Sequence, residues 1–276
     1  MAAVITLTTD FGLGDAYVAA MKGTILGINP SASLVDITHK IKPQEIRQAA
    51  YVLSTAYPYF PLRTIHLAIV DPGVGTSRKA VILRTPRADF VAPDNGILSY
   101  ILDEHAAGPV VAGRVRLTPE SGLEAVAITE PRFWRSPVSA TFHGRDIFAP
   151  VAAHLSLGVP LADFGEAVET LAAFPIPIPR TAPDGTITGE ILHIDSFGNI
   201  ITNIMGRDLP GDAARLKITA GGRVIRGLCR TYDDARGLLA LIGSSDRLEI
   251  SLKNGDAAAL LQAGIGDEIS VQHQIK

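Results

Sequence analysis

The residues placed for chemistry fall mostly in loops that follow apolar runs. In "IHLAIVDPGVGTSRKAVIL" an apolar run ends at Val70 and Asp71 follows. A proline–glycine turn comes next, and Arg78 stands just before the following run. One tight loop thus holds an acid and a fixed cation together, either as a turn-closing ion pair or as part of a site. In "SATFHGRDIFAP" His143 stands between Phe142 and Gly144, ahead of a helix that Asp146 can begin. An isolated histidine there is a packed or surface residue, or an acid–base group. Arg145 and Asp146 read as local pairing or capping residues.

The N-terminal "TLTTDFGLGDAYVAAMKG" ends an apolar run in Asp10, turns through two glycines, and carries a second acid, Asp15, before a helical stretch. Glycine-rich turns of this kind often cradle phosphate, but "DFGLGD" is neither GxGxxG nor a P-loop. A carboxylate outside the end of a parallel strand can instead accept both hydroxyls of a ribose diol, and Asp10 is the candidate. Asp15 either caps the helix or contacts a ligand. In "HIDSFGNIITN", Asp195, Phe197 and Asn199 surround one glycine. An asparagine suits the edge of an adenine and an aspartate suits an ammonium group. The alternative is a hairpin turn with capping side chains. Asp94 and Asn95 of "FVAPDNGILSY" end a strand and start a helix, and read as scaffold.

Other chemistries lack their signatures. None of the seven histidines forms HExxH or another close ligand pair, and one cysteine makes no zinc knuckle, so no metal is expected. There is no GxSxG elbow. Cys229 lies in the apolar "IRGLC", where a structural thiol is expected.

The elements that must position these residues follow two periods. β-Branched runs at Val4–Thr9, Ser33–Thr38, Ile65–Val70, Ala80–Thr85 and Leu123–Thr129 read as strands. Helical spacing appears at Tyr17–Ile28, Gln44–Tyr57, Gly96–His105 and Asp146–Leu157, with Pro43 placed at a first helical position. This order predicts an α/β domain with a mostly parallel central sheet over residues 1–172. The stretch "FPIPIPRTAPDGTITG" predicts a stiff extended linker over 173–186. Beyond it, "GEILHID", "NIITNI", "RLKITA", "RVIRGL", "GLLALIG", "RLEISL" and "DEISVQ" are short and turn-bounded. They predict a smaller all-β, barrel-like domain over 187–276.

The bulk properties agree. A chain of 276 residues with 47% hydrophobic and 19% charged residues can bury a real core. A net charge of −3 argues against a nucleic-acid surface. No stretch is long enough to span a bilayer, and "MAAVITLTTD" is not a secretory leader, so a cytoplasmic location is expected.

Five segments, "TDFG…D", "DPGVGTSR", "APDNG", "FHGRDIFAP" and "DSFGNIITN", occur in this order over nearly the whole chain. Together they resemble the S-adenosyl-L-methionine (SAM) hydroxide adenosyltransferases, the adenosine-forming SAM hydrolases related to fluorinase and chlorinase. The resemblance implies attack of water or hydroxide at ribose C5′, releasing methionine and forming adenosine. It implies no cofactor, SAM being the substrate. It also implies a homotrimer, with each site between the N-terminal domain of one subunit and the C-terminal domain of the next. By position, Asp71, Arg78 and His143 match the hydrolases' Asp–Arg–His set that positions and activates the water. The halogenases have a tyrosine where Asp71 stands. Asp10 matches the diol aspartate, and Asp15 lies in the methionine-binding turn. Asp195 matches the acid facing the methionine amine, and Asn199, beside Phe197, the amide that reads adenine. Tyr232 falls where an aromatic stacks on adenine, Ser244 near the methionine end, and Asn254 and Gly255 in a loop passing adenine. Gln44 replaces the fluorinase tryptophan over the ribose and stays outside the expected site. The remaining alternatives are a SAM- or adenosine-binding protein without turnover, and a halogenase.

Overall fold

The computed structural model describes residues 2–105, 110 and 113–273. The chain divides into two compact units, Met1–Ile176 and Pro177–Lys276. The division falls inside the proline-rich stretch.

In the first unit, β1 (Val4–Thr9), β2 (Ser33–Thr38), β3 (Thr64–Ile69), β4 (Ala80–Arg84), β5 (Ala88–Pro93) and β7 (Glu124–Ala127) form one sheet in the order β2-β1-β3-β5-β4-β7. Strands β1, β2, β3 and β5 run parallel, and β4 is reversed between β5 and β7. A separate antiparallel pair joins β6 (Gly113–Arg116) to β8 (Thr170–Ala173). Every residue of β3 is buried, which explains its largely apolar sequence, Thr64 and His66 aside. Its Ile65, Leu67 and Ile69 pack with Met21 and Ile25 of α1 (Tyr17–Ile28) and Val151 of α4 (Ala149–Ser156). On the other face, Ala68 and Val70 share a core with Leu53 of α2 (Ile46–Ala56) and Ile101 of α3 (Ser99–His105). The period-2 alternation of the strand thus feeds two helical layers.

Three helix starts differ from expectation. α3 begins at Ser99, not Gly96, which takes φ +98° ahead of the helix. α2 begins at Ile46, not Gln44, because Gln44 takes φ +68° and gives its N–H to the Asp10 carboxylate at 2.8 Å. Pro43 therefore sits in the preceding turn. α4 is preceded by a π turn over Gly144–Phe148, in which Asp146 is buried and does not cap.

The sheet presents its chemistry at the carboxyl ends of parallel strands. Thr9 of β1 is in register with Ile69 of β3, so Asp10 and Asp71 leave neighbouring strand ends on the same edge. That edge is the usual ligand position in such sheets.

The second unit holds β9 (Arg180–Thr181), β10 (Ile187–Ile194), β11 (Ile200–Met205), β12 (Leu216–Ala220), β13 (Arg223–Arg226), β14 (Leu238–Ile242), β15 (Arg247–Leu252) and β16 (Glu268–His273). They form a nearly closed antiparallel sheet in the order β13-β12-β16-β10-β11-β15-β14, with β9 paired to β10. The seven β-rich segments of the sequence become β10 to β16. Ile191, Ile200, Ile218, Leu248, Ile250 and Val271 fill the interior. The short α5 (Ala257–Leu261) follows Asp256, whose side chain caps it by accepting from the Ala259 N–H at 2.8 Å. Among the described residues, no helix is long and apolar enough to cross a membrane.

His66 of β3 is fully buried. It is stacked on Phe90 at 5.1 Å and bonded through Nδ1 to Thr6 Oγ1 at 2.8 Å. Burial pushes its pKa from 6.5 down to about 4. Between those values the unfolded chain binds a proton that the folded chain refuses, so stability falls as pH drops through this window. We expect urea unfolding at pH 7, 6, 5 and 4 to show a His66-dependent loss reaching about 3 kcal/mol. His66→Gln should flatten that part of the slope; an unchanged slope in the variant would contradict it.

Candidate active site

The loop after β3 is a run of tight turns. The Val74 N–H donates to the Asp71 carbonyl at 3.2 Å, and the Thr76 N–H to the Gly73 carbonyl at 3.1 Å. This folding carries Arg78 back onto Asp71. Arg78 Nε donates to Asp71 Oδ1 at 2.9 Å and Oδ2 at 3.0 Å, and Nη2 also bonds Oδ2. Both side chains are largely buried, at 11% and 6% exposure, which favours a fixed fork over an exposed pair that water would loosen.

The same guanidinium reaches a residue 65 positions away. Arg78 Nη2 lies 3.0 Å from His143 Nδ1. Arginine has donors and no acceptor, so Nδ1 must accept. The imidazole is therefore neutral and carries its proton on Nε2. Burial, followed by repulsion from Arg78, holds the His143 pKa below its ordinary 6.5. The attraction of Asp71 and Asp146 opposes this without reversing it.

Two devices hold His143 there. Gly75 has φ +78°, and a Cβ on it would lie 2.8 Å from the Ala140 carbonyl oxygen. Only glycine lets the Asp71–Arg78 loop approach the His143 loop this closely. The second device is Asp146, which accepts from Arg145 Nε at 2.6 Å, Arg145 Nη2 at 2.9 Å and the Ser139 N–H at 2.9 Å. Burial alone would raise its pKa, but Arg145, the Ser139 N–H and Arg135 together hold it below the usual carboxylate value. Asp146 is an anchor for the loop that carries His143.

The Asp10 loop meets this group through aromatics. Phe142 packs edge-on against Phe11 and Tyr17, which are tilted against each other, with centroids 5.2 to 6.0 Å apart. A Cβ on Gly144 would come within 3.3 to 3.4 Å of Met21 Sδ, Phe11 and Phe142. Asp10 is held by Gln44, and the Gly12 N–H donates to the His39 carbonyl at 2.8 Å. Asp15 is exposed, and no side chain caps α1 at Ala16, so the capping reading of Asp15 does not hold. Asp94 and Asn95 do act as scaffold: Asp94 accepts from the Ala172 N–H at 2.6 Å, and Asn95 Nδ2 donates to the Val70 carbonyl at 2.8 Å.

In the second unit, Asp195 Oδ1 accepts from the Phe197 N–H at 2.8 Å and the Asn199 N–H at 2.9 Å. Its Oδ2 accepts from Asn199 Nδ2 at 2.9 Å, which leaves the Asn199 Oδ1 facing outward from this pair as an acceptor. Phe197 is 76% exposed. Gly198 is obligatory, because a Cβ would lie 2.2 Å from the Asp256 side chain. That contact sets the Asp195–Asn199 turn against the start of α5, next to Asn254 and Gly255. Tyr232 donates to Glu249 Oε1 at 2.7 Å. Ser244 is exposed in the β14–β15 turn. Glu249, Gly75 and the Gln44 backbone were not legible as site features; the one signal for Glu249 is a charge inside the apolar run "RLEISL". Among the described residues, no group of three or more His, Cys, Asp or Glu is placed to hold a metal ion.

A mostly parallel sheet carrying a largely buried acid–guanidinium pair bonded to a half-buried imidazole at its carboxyl edge, joined to an antiparallel barrel, is the design of an α/β enzyme with an added β domain. Residues 5–165 match the SAM hydroxide adenosyltransferase N-terminal domain, and residues 189–270 match its C-terminal domain. The chain belongs to the SAM hydroxide adenosyltransferase family. It is 41% identical over 272 residues to the (R)-S-adenosyl-L-methionine hydrolase of Salinispora arenicola, covering 97% of each chain. It is 38% identical to the protein of that name from Thermus thermophilus, covering 92% of this chain and 93% of the relative. A fluorinase from Nocardia brasiliensis is 27% identical, covering 99% and 97%. A crystal structure of an uncharacterized conserved protein from Thermotoga maritima superposes with a TM-score of 0.84 at 35% identity, covering 97% and 99%.

The electrostatics predict opposite responses of His143 to its two neighbours. Its NMR titration midpoint should lie below 6.5 in the native protein. Arg78→Met removes a repulsion and should raise it; Asp71→Asn removes an attraction and should lower it. Gly75→Ala, which separates the two loops, should also raise it. Movement of the Arg78 and Asp71 variants in the same direction would contradict the arrangement.

Proposed function

We propose that this protein hydrolyses SAM to adenosine and L-methionine, with Asp71, Arg78 and His143 orienting the attacking water. The observation that carries the reading is the Arg78 guanidinium bonded at once to Asp71 and to His143 Nδ1. Family membership and the hydrolase relatives support the reaction class.

The chemistry asks little of an acid. The sulfonium leaves as a neutral thioether, taking the electron pair of the C5′–S bond, so nothing must be protonated. The reaction asks instead for a water held in line with that bond, because positioning supplies much of the advantage in a bimolecular step. With Nδ1 engaged by Arg78, His143 offers Nε2–H as a donor to the water oxygen. Asp71 is then the acceptor for the water proton as the C5′–O bond forms. In this reading His143 orients and Asp71 acts as base. Arg78 touches both and fixes their spacing.

The remaining assignments complete the proposal. Asp10 receives the ribose diol, its Oδ2 already held by the Gln44 N–H. Asp15, Asp195 and Ser244 take the methionine end. Phe197, Asn199, Tyr232, Asn254 and Gly255 surround the adenine. The working form is a homotrimer in which the N-terminal domain of one subunit and the C-terminal domain of the next share a site, and no cofactor is needed.

Incubation with SAM should release adenosine and methionine in equal amounts. Asp71→Asn, Arg78→Met and His143→Ala should each lower kcat by about a hundredfold or more while changing adenosine affinity only a few-fold. Near-normal turnover in any of them removes that residue from the mechanism. Tight adenosine binding without turnover would mark a binding protein, and halide-dependent 5′-halo-adenosine a halogenase. Light scattering at a mass other than three chains would overturn the trimer.

A further inference from the structure

The second unit buries one carboxylate that the proposed function leaves unused. Glu249 lies on β15 and is 8% exposed. Leu248 and Ile250 on either side of it point into the barrel core, so Glu249 and Ser251 share the opposite face. That face is covered by the loop between β13 and β14, which carries Tyr232. Glu249 Oε1 accepts from Tyr232 Oη at 2.7 Å and from Ser251 Oγ at 2.9 Å. Its Oε2 lies 2.5 Å from where a Cβ on Gly243 would stand, so a side chain at Gly243 would push the carboxylate aside. One side chain thus touches both the Tyr232 loop and the turn leading to Ser244.

The loop is fastened at other points as well. Asp234 Oδ2 accepts from the Arg230 N–H at 2.8 Å and the Thr231 N–H at 3.1 Å, and Lys253 pairs with Asp233. These contacts fix the backbone of the loop and none of them touches the Tyr232 ring. Among the described residues the phenol's hydrogen bond is to Glu249, and the side chain remains 50% exposed, within reach of a ligand. Burial and Glu249 push the Tyr232 pKa up to about 12, which keeps the phenol a donor throughout the working range.

We propose that Glu249 is a positioning residue for nucleoside recognition: it holds the Tyr232 ring at the angle that receives the adenine face and braces the Gly243–Ser244 turn beside it. The inference rests on the reading of Tyr232 as the adenine-stacking aromatic. Glu249 acts through Tyr232 and has no part in the water chemistry, so its loss falls on binding and not on the chemical step.

The test is adenosine affinity by calorimetry, with KM and kcat for SAM, on single and double variants. Tyr232→Phe and Glu249→Ala should each weaken adenosine about five- to tenfold, the loss of one well-made hydrogen bond, and raise KM similarly with kcat little changed. Glu249→Gln keeps an acceptor oxygen and should recover most of the affinity lost in Glu249→Ala. The Tyr232→Phe/Glu249→Ala double variant should be no weaker than either single one. Native affinity in a folded Glu249→Ala, or losses that multiply in the double variant, would overturn the proposal. Should Glu249→Ala not fold, Tyr232→Phe decides alone, and native affinity in it overturns the proposal. Native affinity in Tyr232→Ala would remove the adenine reading of this loop and the role of Glu249 with it. A weakened Tyr232→Ala beside an unaffected Glu249→Ala removes only Glu249.

Discussion

The Arg78 guanidinium has donors and no acceptors, and the arrangement of the first unit follows from where those donors go. Two of its nitrogens are spent on Asp71, which closes the loop after β3. What remains of Nη2 meets His143 and thereby decides the tautomer of a ring on a distant loop. A lysine could neutralise Asp71 but could not present a planar fork to two partners at once. The trio is therefore a hydrogen-bonded unit with a defined direction, acid to guanidinium to imidazole, and the proton on Nε2 is its outward-facing end.

That direction would be lost without exact loop spacing. The sheet register delivers Asp10 and Asp71 to adjacent strand ends, yet His143 comes from a segment with no strand to place it. Its position is set by a backbone-to-backbone approach at Gly75 and by the buried Asp146, which ties Arg145 and Ser139 together. The first is steric and the second electrostatic, so the site is located by constraints that do not depend on a ligand being present.

Legibility in the sequence followed the range of the interactions. α1 and the first two strands were readable to the residue, since local periodicity fixes them. The seven short β segments were readable for the same reason. The start of α2 was not, because Gln44 leaves the helix for an acceptor 34 residues away. β6, β8 and β9 are short and partly exposed, and carry little apolar alternation. The Asp71–Arg78 pair was readable as a turn-closing contact within one loop. His143 joined that pair only through the family resemblance, because its bond to Arg78 links loops that only the folded sheet brings together. Glu249 was hidden by the usual rule that a charge in a strand faces water; here a covering loop makes that face an interior.

The Gln44–Asp10 bond separates what a position does from which residue occupies it. The donor is a main-chain N–H, so the Asp10 carboxylate is oriented by the backbone and not by the identity of residue 44. Most side chains there can change without releasing the carboxylate, subject to the left-handed backbone at that residue; proline, which has no N–H, is the exception. The loop is in that sense insulated: the outer surface at position 44 is open to variation in shape and polarity, while the acid beneath it keeps its aim.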